Sequence, residues 1–98
     1  MYFTKNNRIF KRKFHRELLP SALGYYQKQF PGLRKTNGYA LVNCIFHNDR
    51  NPSLSVDLED GHFNCFSCGA KGGSVLDFHI RRFEMEFLDA ANELGALR

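Results

Sequence analysis

The chain carries two short pairs of metal-binding side chains, Cys44-Ile45-Phe46-His47 and Cys65-Phe66-Ser67-Cys68, with 17 residues between them. A gap of two residues lets one tight turn aim both side chains at a single ion. Two such turns supply the four ligands of a closed, tetrahedral structural zinc site. Thiolate and imidazole donors suit Zn²⁺, whereas Mg²⁺ and Ca²⁺ take oxygen ligands. All three cysteines of the chain fall within this arrangement. Cysteine is often just a small buried hydrophobe, but two pairs at ligand spacing favour a metal. Whatever lies between the pairs must then fold so that Cys65 returns beside His47.

Ninety-eight residues make one small domain near the lower limit for a self-sufficient core. A structural zinc ion would compensate, since its binding contributes on the order of 10–16 kcal/mol to the folding of small finger peptides. An odd number of cysteines fits metal binding in a reducing compartment better than a disulfide framework. Met1 to Lys13 is basic and lacks the apolar centre of a signal peptide, and no apolar run is long enough to cross a bilayer. A soluble, cytoplasmic protein with no membrane partner is expected. The net charge of +4 hides an asymmetry: residues 1–43 hold nine basic side chains against one acid, and residues 44–98 hold five against nine. A strongly basic half points to a polyanion, most often nucleic acid, with a solvated charged tail as the plainer alternative.

Along the chain, residues 1–16 read as a basic N-terminal arm and 17–98 as the folded domain. The arm interleaves Lys5, Arg8, Lys11, Arg12, Lys13 and Arg16 with Tyr2, Phe3, Phe10 and Phe14. Such a mixture either contacts phosphates and bases or packs its aromatics back onto the domain; the pattern leaves both readings open. Arg16 to Phe30 is weakly helical, with Pro20-Ser21 as a start signal and Pro31-Gly32 as a stop. Asn37-Gly38 signals a turn, followed by a strand from Tyr39 to Val42. Ser53 to Leu58 alternates polar and apolar residues, Glu59-Asp60-Gly61 is a turn, and His62 to Cys65 is the returning strand. Turn chemistry and ligand spacing thus demand the same hairpin. Gly69 to Gly73 reads as a flexible turn. Ser74 is then an N-cap with Asp77 three residues on, opening a helix that carries Val75, Leu76, Phe78, His79, Ile80 and Phe83. A second short helix carries Phe87, Leu88, Ala91 and Leu94, with Gly95 as its stop. The fold class expected is α+β: a zinc ribbon with a small antiparallel sheet flanked by short helices.

The run Cys44-Ile-Phe-His47-Asn-Asp-Arg50-Asn-Pro52-Ser53-Leu-Ser-Val56, then Phe63-Asn-Cys65-Phe66-Ser-Cys68-Gly69-Ala-Lys-Gly72, then a helix with Asp77-Phe78, closely resembles the Cys-His-Cys-Cys zinc ribbon at the N-terminus of bacterial and phage DNA primases. The resemblance covers about residues 33–95. It implies one zinc ion on Cys44, His47, Cys65 and Cys68. It also implies binding of single-stranded template DNA, help in choosing where a primer begins, and nucleotidyl transfer in a separate Toprim-type polymerase domain. In helicase-linked members a further domain contacts the helicase. Three positions depart from the family pattern: Ile45 replaces a usual proline, Ser67 replaces a common glycine, and Tyr39 stands five positions before Cys44. The basic arm has no counterpart in it.

Candidate DNA contacts are Arg34, Lys35, Arg50 and Lys71 for phosphates, and Tyr39, Phe63 or Phe66 for stacking. Phe63 and Phe66 serve equally well as core residues. His62 competes with His47 for the metal but, as a strand residue before the second pair, is expected to point away. His15 reads as an arm residue, His79 as a helix-face residue, and Arg81 and Arg82 as a solvated helix face. Asp57, Glu59 and Asp60 form the dense acidic run, which a hairpin turn explains better than the clustered carboxylates of a Mg²⁺ site. No catalytic residue is assigned; by itself the chain is not expected to make primers. The leading reading is a zinc module of a primase system, on a phage, plasmid or integrated element, that acts with a polymerase or helicase chain in the primosome. The rivals are a DNA-binding replication or regulatory factor of such an element, and a structural zinc module for protein interaction.

Overall fold

The computed structural model describes residues 12–33, 38–48 and 52–98. The expectations for residues 1–11, for the turn before Gly38, and for Arg34, Lys35 and Arg50 fall outside the described residues. Within them the chain forms a 3₁₀ turn (Arg16–Leu18), helix α1 (Ala22–Gln29), strands β1 (Tyr39–Val42), β2 (Leu54–Asp57), β3 (Phe63–Cys65) and β4 (Lys71–Gly72), then helices α2 (Val75–Phe83) and α3 (Phe87–Glu93). The strands make one antiparallel meander in the order β1-β2-β3-β4. This is the α+β arrangement expected from the turn signals.

Local chemistry sets the element boundaries. Ser21 caps α1, its hydroxyl accepting from the Gly24 N–H at 3.1 Å, and the helix stops at Phe30 before Pro31-Gly32. Ser74 caps α2 in the same way, accepting from the Asp77 N–H at 3.3 Å. Asp57 Oδ1 accepts from the N–H groups of Glu59 and Asp60 at 2.7 and 2.9 Å, which closes the β2–β3 turn.

One expectation is corrected here. The glycine run after Cys68 is not only a turn, because Lys71 and Gly72 form β4, paired through Phe63↔Gly72 and Asn64↔Lys71. The turn after Cys65 closes with Gly69 N–H to Cys65 O and Cys65 N–H to Ala70 O, at 3.0 and 2.7 Å. That brings the chain back antiparallel to β3. Gly72 is a packing requirement: a Cβ there would lie 2.6 Å from the Phe63 ring and 2.7 Å from Asp77 Cβ.

The sheet is amphipathic with period two. Ala40, Val42, Leu54, Val56, Phe63 and Cys65 face the helices, with Leu54, Val56, Phe63 and Cys65 buried. Phe78 of α2 is the hub of this core, its ring making edge contacts with Tyr25, Tyr26, Phe30, Phe46 and Phe63 at centroid distances of 5.1–5.9 Å. Tyr26, fully buried, donates its hydroxyl to Gly61 O at 2.5 Å. A second cluster, Leu76, Ala90, Ala91, Ala96 and Leu97, packs α3 against α2; its small alanines allow close approach.

His79 is not a simple helix-face residue. It is 6% exposed and links all three helices, with Nε2 2.6 Å from Glu93 Oε1 and Nδ1 2.7 Å from the Tyr25 hydroxyl. Each ring nitrogen thus has its own partner, the Glu93 carboxylate at Nε2 and the Tyr25 hydroxyl at Nδ1. Burial holds the Tyr25 hydroxyl well above its usual range, which keeps it a donor. Residues assigned to the arm also join the fold. Lys13 and Arg98 exchange N–H···O bonds at 2.7 and 3.0 Å, His15 N–H reaches Ala96 O at 2.8 Å, and Phe14 rests edge-on against Phe87.

Candidate metal centre

Each ligand pair stands where a strand ends. Cys44 follows β1 and His47 ends the turn after it, while Cys65 closes β3 and Cys68 ends the next turn. Pairing of β1 and β3 on either side of β2 brings the two turns to one end of the sheet. The four ligand atoms all lie within 4.8 Å of one another. Cys44 Sγ is 3.9 Å from Cys68 Sγ, and Cys65 Sγ is 3.9 Å from His47 Nδ1. A Zn–S bond of about 2.3 Å in tetrahedral geometry places neighbouring sulfurs about 3.8 Å apart. The donors and their spacing therefore fit zinc, and none of the cysteines is in a disulfide.

The protein surroundings act differently on Cys65 and Cys44. Phe46 N–H points to Cys44 Sγ and Cys68 N–H to Cys65 Sγ, both at 3.4 Å. The buried Ser53 hydroxyl is 3.4 Å from Cys65 Sγ. Burial by itself would raise the Cys65 thiol, but the Ser53 hydroxyl and the Cys68 and Ser67 amides outweigh it and pull it below its usual range. The Cys44 thiol is pushed up, first by burial and then by the neighbouring cysteines, despite the Phe46 amide. A divalent cation among these sulfurs reverses that last effect, because its charge favours the thiolate at every position.

His62 lies elsewhere, with its ring Nδ1 2.6 Å from Asp60 Oδ1 and 3.8 Å from Asp57 Oδ2. These three residues gather at the tip of the β2–β3 hairpin. The Asp60 carboxyl is held below its usual range by the His62 backbone N–H and then by the His62 ring. Its carboxylate oxygens, like those of Asp57, serve turn closure.

Among the described residues the face of the sheet turned away from the helices is open. Tyr39, Leu41, Ser55, Asp57, Asn64 and Lys71 lie on it, as the register and the alternation of burial dictate. Of the expected stacking residues, Tyr39 is 55% exposed on this face and Phe66 is 70% exposed in the second ligand turn. Phe63 is 1% exposed. Its assignment as a stacking residue is corrected: it lies two positions before Cys65, shares its inward face, and fills the core against Phe78. Lys71 is exposed at the β4 edge. Sequence reasoning passed over Leu41, Ser55 and Asn64; alternation puts Leu41 on the face of Tyr39, but only the strand register brings Ser55, Asn64 and Lys71 beside them. Arg81 and Arg82 do more than face solvent, their guanidinium carbons lying 5.6 and 5.1 Å from the ring centres of Phe46 and Phe83.

A family model described as the CHC2 zinc finger matches residues 28–97. The DNA primases of Salmonella typhimurium and Escherichia coli are each 39% identical over 54 residues, 55% of this chain and 9% of the relative. The DNA primase of Lactococcus lactis is 33% identical over 67 residues, 68% of this chain and 10% of the relative. This chain thus matches only 9–10% of the length of these curated relatives. Among solved structures, the Aquifex aeolicus primase (zinc-binding and RNA polymerase domains) superposes with a TM-score of 0.66 at 28% identity. The match covers 81% of this chain and 20% of that one. Among the described residues no helix is long and apolar enough to cross a membrane.

Proposed function

Since the chain belongs to the CHC2 zinc-finger family of DNA primases, we propose that it is the zinc module of a primase system, binding single-stranded template DNA and assisting primer initiation. The observation that carries this reading is the match over residues 28–97 together with the gathering of Cys44, His47, Cys65 and Cys68 within 4.8 Å. We assign them one tetrahedral, structural Zn²⁺ ion. When bound, it cross-links the β1 and β3 turns and holds the sheet in shape; four protein ligands leave it no open position for catalysis. Nucleotidyl transfer then falls to a polymerase domain, in keeping with the Aquifex aeolicus primase structure, which contains zinc-binding and RNA polymerase domains. The partner is such a polymerase or a helicase chain, and the setting is the cytoplasm of a bacterial or phage-infected cell. Tyr39 and Phe66 supply exposed aromatic surface for bases, and Lys71, with Arg34, Lys35 and Arg50, supplies charge for phosphates.

The test is fluorescence anisotropy with a labelled single-stranded oligonucleotide, run beside primer synthesis with a primase polymerase. The zinc-loaded chain is expected to bind at low salt, to weaken as salt rises, and to raise primer yield. Removing the ion with a chelator abolishes both. No binding at low salt refutes the template role.

A further inference from the structure

The two edges of the sheet are built differently. In the order β1-β2-β3-β4, strands β1 and β4 each have a single neighbour among the described residues. An unpaired strand edge is a template for another chain, and proteins blunt it with short strands, lysines, prolines or bulges. β4 has two of these devices, being two residues long and carrying Lys71. β1 has none of them: Tyr39-Ala40-Leu41-Val42 is four residues long, uncharged and free of proline, and it pairs with β2 in unbroken register. The ladder fixes where its backbone groups point. Leu58 N–H donates to Gly38 O, so by alternation Gly38, Ala40 and Val42 are the residues bonded to β2. The N–H and C=O of Leu41 therefore point off the edge, where they have no partner among the described residues.

Beside that edge runs an apolar groove of about 810 Å³. Phe30, Pro31 and Leu33 wall it on the α1 side, and Val42, Ile45 and Pro52 continue it past the end of β1. Among the described residues no charged side chain lines it, although 24% of the chain is charged. A polyanion or an acidic peptide would find no counter-charge there. What fits is an uncharged, apolar segment that is already extended. The stretch from Tyr39 to Asn43 of a second copy meets each condition. Because its own sheet already holds it in shape, it loses less backbone entropy on docking than an unstructured peptide would.

We propose that two copies of this chain join β1 to β1, antiparallel about a two-fold axis at Leu41, into one eight-stranded sheet. In that register each Leu41 N–H donates to the C=O of the partner's Leu41, Ala40 stands opposite the partner's Val42, and Tyr39 stands opposite the partner's Asn43. Leu41, 52% exposed in the single chain, meets its own copy across the axis on the open face. On the other face Ala40 and Val42 carry apolar side chains towards the partner's groove. The contact is short, so the association belongs to the weak class below a standard interface. Both ligand turns lie at the end where the chain leaves β1, and the paired strands run in opposite directions, so the two metal centres stand at opposite ends of the joined sheet. The pairing is independent of whether the chain binds DNA.

The experiment is sedimentation equilibrium of the whole zinc-loaded chain over about three decades of concentration from the micromolar range, with amide hydrogen exchange followed by NMR. The mass is expected to rise from 11.4 kDa towards twice that value. Exchange at the Leu41 amide is expected to slow as concentration rises, whereas the Ala40 and Val42 amides, bonded to β2, are protected throughout. Leu41→Pro removes the edge donor without touching a bond to β2, and Leu41→Lys sets two like charges opposite each other; each is expected to weaken association by about tenfold or more. Phe87→Ala, which trims an exposed ring on α3, leaves it unchanged. Zinc content and circular dichroism check that each variant is folded; if Leu41→Pro fails that check, Leu41→Lys and the Leu41 exchange rate carry the test. A monomer at every concentration leaves the edge to a strand of some other protein and overturns the proposal. So does a dimer whose Leu41 amide is not slowed, or one that survives substitution of Leu41. Equal weakening by Phe87→Ala means general apolar association and overturns it as well.

Discussion

Gly72 and Gly73 are adjacent in the same glycine run, yet alanine should have opposite effects at the two positions. A Cβ at Gly72 would meet Phe63 Cε1 and Cζ at 2.6 and 2.8 Å and Asp77 Cβ at 2.7 Å, where carbon atoms normally stay about 3.5–4.0 Å apart. Neither neighbour can give way easily. The Phe63 ring is held between Phe46 and Phe78. Asp77 stands in the first turn of α2, with its carboxylate accepting from the Gly73 N–H at 2.9 Å. Overpacking of this kind costs about 1–3 kcal/mol. Gly72 does not use a left-handed backbone conformation, so the whole cost is steric. At Gly73 the nearest atom to an added Cβ is Asp77 Oδ2 at 3.6 Å, and φ is again outside the left-handed region. There alanine should stabilise by about 0.4–1 kcal/mol, through the lower entropy of the unfolded chain. For a domain of this size about 4–8 °C corresponds to 1 kcal/mol. Gly72→Ala is therefore expected to lower Tm by about 4–24 °C and Gly73→Ala to raise it by about 2–8 °C. The assay is thermal unfolding followed by circular dichroism at one fixed excess of zinc, because a bound ion shifts Tm by mass action. Equal shifts of the same sign would refute the claim that β4 is a packed strand and Gly73 an open position.

His47→Ala should lower zinc affinity sharply in a competition titration with a chromophoric chelator, while His62→Ala should leave it within about twofold, since His62 is bonded to Asp60 and outside the ligand group; the reverse order would overturn the ligand assignment. Ser53→Ala removes the hydroxyl 3.4 Å from Cys65 Sγ and should weaken zinc binding by about tenfold with the fold retained; unchanged affinity would show that the hydroxyl does not support the thiolate. Tyr39→Ala should weaken single-stranded DNA binding by about 1–3 kcal/mol with Tm unchanged. Phe63→Ala, by contrast, should cost about 3–5 kcal/mol of stability, because its ring is in the core; a stable Phe63→Ala chain with a pure DNA-binding defect would reverse the two assignments.

Much of the molecule was readable from short-range chemistry. The two ligand pairs carry the metal reading, and the acidic turn at 59–61 marks the hairpin that joins them. Ser21 and Ser74 open helices, while Pro31-Gly32 and Gly95 close them. Each of these signals acts within about four residues, so the linear order of residues contains it entire. Distant neighbours are a different matter. Phe63 and Phe66 flank the same cysteine and look alike in composition, but only pairing with β2 and packing on Phe78 bury one ring and expose the other. Gly72 passes for linker until Phe63 and Asp77 close around it. His79 becomes a buried link only when Tyr25, 54 positions away, and Glu93 arrive at its two nitrogens. The open-face row of Leu41, Ser55, Asn64 and Lys71 likewise exists only once four separate strands are in register. Ligand spacing and turn chemistry are local properties of the chain, whereas burial and the alignment of side chains across strands arise from contacts that the folded sheet alone creates.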